Sequence, residues 1–318
     1  MVDPMQTIPI DHRQSSCHAA PSNNRPPIRL IVNADDLGIS EPINEGIFLA
    51  HRLGLVTSAS IMPVGKAFHH AIGRLADVPR LDIGIHLTLV AEEPLIRRNT
   101  TLINGGNRFP KDIGAFLMAY LTGGIRLRDI RREWTAQIEK ALDSGIAVTH
   151  MDSHQHVHVL PGIAEITREL ADRYGIPFVR MPSEPFKGYM LQDLRCIRRL
   201  VGEMALKAFC LMVPRDGTQP RGGGMPRFLG FFFGGRLDFD GLKRILASTV
   251  PGETYELMCH PGFSPTEPEY RRWNYRHEGE LMTLASPTLR SELETSGIHL
   301  CRFWDLITDD RRIPHATT

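Results

Sequence analysis

The stretch Val148-Thr-His-Met-Asp-Ser-His-Gln-His-Val-His158 places His150, Asp152, His154, His156 and His158 at every second position. In an extended backbone alternate residues share one face, so the spacing predicts five side chains pointing into one cavity. Imidazole is the commonest protein ligand for transition metals, and a nearby aspartate either ligates or orients a histidine. Surface or hydrogen-bonded loop histidines are the ordinary alternative. With four of the chain's 14 histidines in this one run, a metal or catalytic site is the better account. Which of the five residues touch a metal depends on the rest of the chain.

Three other places carry chemistry-bearing residues. Asp35 and Asp36 follow an apolar run and, being adjacent on a strand end, face different ways and suit two jobs, one on a metal and one towards substrate; a helix cap or surface pair is the plain reading. His86, in Gly84-Ile-His-Leu-Thr88, taken alone reads as a satisfied core histidine. With His154 and an aspartate it completes a two-histidine, one-carboxylate set that leaves metal positions open. Water at such a metal has its pKa lowered towards neutrality, which implies hydrolysis. His260, before Pro261-Gly262, is either a turn residue or a proton donor to a leaving group. Arg180, Glu184 and Glu256 read as groups that orient these residues or as plain ion pairs. Trp273 and Tyr275 either stack on a sugar face or pack. A Cys259–His260 nucleophile pair is disfavoured, because neighbours on a strand face opposite ways.

These residues need strand ends to hold them. Ile28–Asn33 reads as a strand buried on both faces. Ser40 then reads as the cap of a helix carrying Ile43, Ile47, Phe48 and His51, stopped by Gly54. Strands are expected at Val56–Met62, Leu81–Ile85, Ala147–Met151, Pro177–Arg180, Thr254–Met258 and Ile298–Cys301. Helices are expected at Lys66–Leu75, at Arg128–Leu142 with Ile130, Trp134, Ile138 and Leu142 on one face, from Pro161 to Tyr174, as one long element over Gly188–Val213, at Phe239–Ser248 and at Glu278–Leu284. Pro214–Pro226, rich in Gly, Arg and Pro, reads as an exposed loop or a lid. Alternating strands and helices predict parallel strands with crossover helices. Ligand-type residues after several different strands favour a single distorted (β/α) TIM-like barrel, with its site at the C-terminal ends of the strands, over a doubly wound sheet.

Composition narrows the function. The 318 residues suit one large domain, expected over 28–308, with a disordered tail over 1–27 and a short C-terminal tail over 309–318. With 42% apolar residues, 23% charged residues and a net charge of +1, nothing points to nucleic acid or an anionic membrane surface. Five scattered cysteines without a CxxC pair read as reduced thiols in the cytoplasm. There is no apolar run long enough to span a membrane and no secretory h-region.

Asn33-Ala-Asp-Asp-Leu-Gly38, Gly84-Ile-His-Leu-Thr88, His150-Met-Asp-Ser-His-Gln-His-Val-His158 and Glu256-Leu-Met-Cys-His-Pro-Gly262, in that order, resemble the YdjC family, also described as ChbG/HpnK-type carbohydrate deacetylases. The resemblance runs from about Ile28 to Asp305. It implies a distorted barrel, one divalent metal (Mg or Zn, with Co or Mn as alternatives), and hydrolysis of an N-acetyl group on an amino sugar, in a chitooligosaccharide or a glucosamine-bearing lipid. Carried over, the metal ligands are Asp36, His86 and His154, the general base is Asp35 and the general acid is His260. Asp152, His156, His158, Arg180 and Glu256 are then supporting or substrate-binding residues, and a homodimer is expected. The family has Phe where Leu37 stands, a small change behind the ligands. The long tail and the 214–226 segment are larger departures and leave substrate choice open. Two rival readings stand beside this one. The first is a phosphoesterase or other amidohydrolase, with Asp152, His156 and His158 serving a second metal. The second is a catalytically inactive sugar-binding protein, which the presence of both Asp35 and His260 argues against.

Overall fold

The computed structural model describes residues 26–103, 106–191, 197–213 and 224–310. The expected N-terminal tail up to residue 25, most of the Gly/Arg-rich segment and the last eight residues lie outside these. The strands are β1 (Ile28–Leu37), β2 (Ser58–Ile61), β3 (Asp82–Leu87), β4 (Val148–Ser153), β5 (Phe178–Val179), β6 (Arg227–Leu229), β7 (Thr254–Cys259) and β8 (Ile298–Leu300). The helices are α1 (Glu41–Leu53), α2 (Phe68–Arg74), α3 (Ile113–Leu121), α4 (Leu127–Asp143), α5 (Ile163–Tyr174), α6 (Ile197–Met212), α7 (Phe239–Leu246), α8 (Pro268–Arg271), α9 (His277–Leu284), α10 (Pro287–Thr295) and α11 (Phe303–Asp310).

All strand pairs are parallel, in the order β5-β4-β3-β2-β1-β7-β6, with β8 on the β2 side of β1 near its start. No pairing joins β5 to β6 among the described residues, so the sheet is a curled, incompletely closed barrel. The fold expected from the alternation is the fold observed. On the outer face Leu30, Val32, Ala34, Ala59, Ile61, Leu257 and Cys259 pack with α1, α7, α9 and α10, and Ile85, Leu87 and Met151 pack with α4 and α5. The inner face is largely polar: Asn33, Asp35, Ser60, His86, His150, Asp152 and Glu256 point inward at alternate positions. Gly84 carries no side chain because a Cβ there would meet the His150 ring at 2.2 Å.

Beneath these polar residues sits Phe303 of α11. It stacks on His150 at 4.2 Å, meets Phe178 at 5.3 Å and clusters with Ile31 and Leu306. A buried contact shared by β1, β4, β5 and α11 requires the sheet to curl. Asp82 of β3 fixes the start of α11 by accepting the Trp304 N–H at 2.7 Å.

Four expectations are corrected. Gly188–Val213 is not one helix: a 3-10 turn covers Gly188–Leu191, and α6 starts only at Ile197. The extended run through His158 stops at Ser153, and His154–Val159 coils into a 3-10 segment with Gln155 and His156 at φ +57°. Ser40 occupies the N-cap position of α1 without capping it; Asn44 Oδ1 instead accepts the Gly38 N–H at 2.6 Å. The α3, α8, α10, α11 and β6 elements are additions to the sequence reading, and α11 runs two residues into the stretch read as a tail.

Phe303→Ala opens a cavity under the polar interior and is expected to destabilise the fold by about 3–5 kcal/mol. Urea unfolding of the two proteins measures this, and a loss below about 1 kcal/mol would show that Phe303 does not close the barrel floor.

Candidate active site

The site begins with one backbone irregularity. β1 and β2 lose register between Ala34 and Leu37, and Asp36 sits at φ +65°, in the left-handed region that non-glycine residues rarely occupy. The distortion turns Asp36 back over the strand ends instead of outward among the helices. Asp35 and Asp36 thereby both reach the interior, aimed at different partners.

Asp36 Oδ1 lies 3.3 Å from His86 Nε2 and 3.0 Å from His154 Nδ1. His86 Nδ1 donates to Asp152 Oδ1 at 2.6 Å, which leaves His86 Nε2 facing Asp36. Burial pushes the Asp36 carboxyl up, yet the charges and hydrogen bonds of His154 and His86 outweigh this and hold it well below the usual carboxylate range. Burial would likewise lower His86, but Asp152, Asp36 and Asp35 reverse that and raise it to about 10. Asp36 Oδ2 and His154 Nε2 are buried with no hydrogen-bond partner. Donor atoms of Asp36, His86 and His154 all lie within 4.8 Å of one another. A buried carboxylate with two imidazoles and orphaned lone pairs is a donor set that fits a divalent ion.

Behind this set stands Arg180, just past β5 and 2% exposed. Its NH1 and NH2 donate to both oxygens of Asp35 at 2.7 Å, NH2 also lies 2.7 Å from Asp152 Oδ2, and Nε donates to Glu256 Oε1 at 2.7 Å. Burial raises Glu256 to about 7 despite the guanidinium. Asn33 Nδ2 bonds Asp35 Oδ1 and Ser60 Oγ, and Ser60 donates to Asp152, so the carboxylates are tied from below as well.

The predicted residues therefore divide. Asp35, Asp36, His86, Asp152, His154, Arg180 and Glu256 meet in one interior. His158 does not share their face: its Nδ1 meets Ser153 Oγ at 2.7 Å and its Nε2 donates to the Arg180 carbonyl at 2.9 Å, so it holds the Arg180 peptide. His156 packs against Phe228 and Phe231 on the cavity side. The left-handed turn at residues 155 and 156 is the cause of both departures. Cys259 is buried, bonds the Asn33 carbonyl and has its thiol pushed far up by burial, as expected of an inert residue.

A cavity of about 410 Å³ opens onto these groups. Asp35, His86, His154, His260 and Tyr275 line it together with Ile113 and Leu117 of α3, Leu160, and Leu206 and Phe209 of α6. The His260 ring meets Tyr275 edge-on at 4.9 Å, and Trp273 lies 5.0 Å from His154. Burial lowers His260 to about 4, with Asp36 and Asp35 pulling the other way.

Residues 29–295 match the family described as YdjC-like protein. The chain belongs to the YdjC family. It is 33% identical to a human protein named carbohydrate deacetylase, over 89% of this chain and 92% of that one. A Geobacillus stearothermophilus protein of the same name is 32% identical, over 86% and 96%. A solved Enterococcus faecalis structure, described as a cellobiose-phosphate cleavage protein, superposes with a TM-score of 0.66 at 23% identity, covering 88% of this chain and 99% of that one. That likeness concerns the fold.

Within this YdjC-family site the sequence reading missed Asn33 and Ser60, which the inward alternation of β1 and β2 would have flagged. It also missed His277 and Glu280 of α9. Glu280 Oε2 accepts the His260 N–H at 2.5 Å, and His277 Nδ1 donates to the His260 carbonyl at 2.9 Å. Neither follows a strand, but their spacing of three on a helix puts them on one face.

Burial holds His158 at about 4, below its ordinary 6.5. As pH falls below 6.5 the unfolded chain takes up a proton there that the folded chain refuses, so this contribution is full above 6.5 and lost on descent towards 4. Glu256 and Glu280, both raised to about 7 by burial, act in the opposite sense. The prediction is therefore a difference: relative to His158→Gln, wild type loses on the order of 2 kcal/mol of stability between pH 7 and pH 5. Denaturation curves at the two pH values test it, and a constant difference would mean His158 is charged when folded.

Proposed function

We propose that the chain is a divalent-metal-dependent carbohydrate N-deacetylase, cleaving the acetamide of an N-acetylated amino sugar to acetate and a free amine. The observation that carries this is the division of labour between two adjacent carboxylates. Asp36 faces two imidazoles, while Asp35 is held by Arg180 at the edge of the cavity. The relatives named carbohydrate deacetylase support the same reaction class.

Asp36, His86 and His154 would hold the ion. When bound, it would supply Lewis acidity and a lowered water pKa. Two imidazoles and one carboxylate favour zinc on affinity, with Mg, Mn or Co as the alternatives set by supply. Asp35 takes the proton from the attacking water, its two oxygens fixed by the Arg180 fork so that only lone pairs directed at the cavity are free to act. His260, kept neutral at rest by burial, receives the proton that Asp35 took from water and delivers it to the departing nitrogen, so that Asp35 and His260 both end as they began. The proton lost by water and the proton gained by the amine balance, leaving acetate. Tyr275 packs against the His260 ring and helps to hold it.

The apolar lining residues of the cavity suit the apolar face of a pyranose or an apolar aglycone, so the reading covers N-acetylglucosamine-containing glycans and glycolipids. A two-metal phosphoesterase is less well supported. The second donor set, Asp35, His86 and Asp152, already holds the Arg180 guanidinium between its two carboxylates. No helix among the described residues is long and apolar enough to cross a membrane. A cytoplasmic location and a homodimer belong to the same proposal, the former supported by the buried thiols of Cys210 and Cys259.

Metal-stripped protein should release acetate from N-acetylglucosamine oligomers only after a divalent ion is restored. Asp35→Asn should keep the metal and lose about 10²–10⁴ in turnover. Full activity in that variant would remove Asp35 as the base, and no bound metal in the wild type would sink the reading.

A further inference from the structure

His260 stands on the loop after β7, where no ladder bond holds its peptide, and its Nδ1 has no hydrogen-bond partner. Its backbone is gripped from one helix on both sides. Glu280, fully buried on α9, accepts the His260 N–H on Oε2 at 2.5 Å and the Leu237 N–H on Oε1 at 3.0 Å. His277, one turn earlier on the same face, donates Nδ1–H to the His260 carbonyl at 2.9 Å, and its own carbonyl accepts the Gly262 N–H at 3.2 Å. Because a carbonyl only accepts, the bond fixes the His277 tautomer with its proton on Nδ1.

We propose that His277 and Glu280 form a clamp that positions His260 for proton transfer, making both of them positioning residues for the reaction. This rests on the reading of His260 as the proton donor. Three features make it more than general support for a loop. Both polar groups of the His260 peptide are taken, each by a side chain and not by backbone. The Glu280 carboxylate also ties in the start of the 237–241 segment. Gly46 of α1 is packed so closely on this loop that a Cβ there would meet Gly262 Cα at 2.4 Å, so the loop cannot drift towards α1. With the ring meeting Tyr275 edge-on and its Nδ1 without a hydrogen-bond partner among the described residues, the aim of the imidazole follows the aim of its peptide. A misplacement of about 1 Å at a reacting group costs on the order of 10²-fold in rate.

The holoenzyme is tested with Glu280→Gln, which keeps the shape but offers one acceptor oxygen where two N–H groups need one, and with His277→Ala beside His277→Asn, whose amide reproduces the Nδ1 donor. On an N-acetyl amino sugar, Glu280→Gln and His277→Ala should lower kcat about 10- to 100-fold at unchanged KM and unchanged bound metal, while His277→Asn recovers most of the loss. On 4-nitrophenyl acetate, whose leaving group needs no proton, all three should match wild type. Combined with His260→Ala, neither should lower amide turnover further, since each acts through His260. Equal losses on amide and ester, or losses that add to that of His260→Ala, would overturn the clamp, as would wild-type amide turnover in both Glu280→Gln and His277→Ala. If His260→Ala itself kept amide turnover, the proton-donor reading would fall first and the clamp with it; a clamp that fails alone leaves His260→Ala inactive.

Discussion

The interior of this protein depends on one guanidinium. Arg180 reaches from the end of β5 to carboxylates on β1, β4 and β7, strands that lie up to five places away in the sheet order. Buried charges cost several kcal/mol each to desolvate, and here three carboxylates and one cation are taken from water together. Only short, well-directed bonds offset that penalty, and all four contacts lie at 2.7 Å. The geometry exists only if the sheet curls far enough to bring β5 opposite β1 and β7. Site and curvature therefore imply one another: a flat sheet would strand Asp35, Asp152 and Glu256 without a counter-charge.

Arg180 does not neutralise the interior. Asp35, Asp36, Asp152 and Glu256 face one guanidinium, and the excess of negative potential is what drives His86 up to about 10, while burial first, and the neighbouring Asp152 and Asp35 after it, raise Glu256 to about 7. A divalent cation among Asp36, His86 and His154 would offset the same excess, taking the place of the His86 proton. A surplus of carboxylates around the Asp36, His86 and His154 donor set favours a cation there, which gives a physical reason for so many acids in one interior.

How much of this was legible in the sequence follows from which structural rule set each position. The period of two, applied to β4, placed His150 and Asp152 on the inner face because strands obey that period strictly, whereas Asp35 and His86 were found as ligand-type residues at strand ends. The same rule carried past Ser153 misplaced His158, and His156 lies on the cavity wall against Phe228 and Phe231 instead of beside Asp152. The chain there leaves the strand through two left-handed residues, a conformation that neither Gln155 nor His156 advertises. Asp36 was assigned by resemblance, and its left-handed φ is equally unadvertised. The α3 sequence, Ile-Gly-Ala-Phe-Leu-Met-Ala-Tyr-Leu, is apolar on nearly every side and offers no helical stripe to read. His277 and Glu280 escaped notice because their partner is the backbone of a residue 17 to 20 positions away, a contact without a local signature.

The division between the two faces of the sheet also explains how a polar interior is tolerated. Two apolar clusters lie outside the strands, one over β1, β2 and β7 and another over β3 and β4, and both are built from the helix-facing residues of the same strands that carry the site. Stability therefore comes from the outer layers by burial of apolar area, while the inner face is left to chemistry. Phe303 is the point where the two regimes meet, an aromatic ring lying flat against a polar histidine at the barrel floor. Above that ring almost every inward residue is polar and bonded to another, so a single uncompensated change there leaves a buried charge or donor unmatched, whereas an outer-face change of the same size leaves only a cavity. Sequence variation that alters substrate choice is accordingly easiest at the cavity-facing residues of α3 and α6, away from the Arg180 network, although Phe116 of α3 is itself anchored in the outer cluster over β3 and β4.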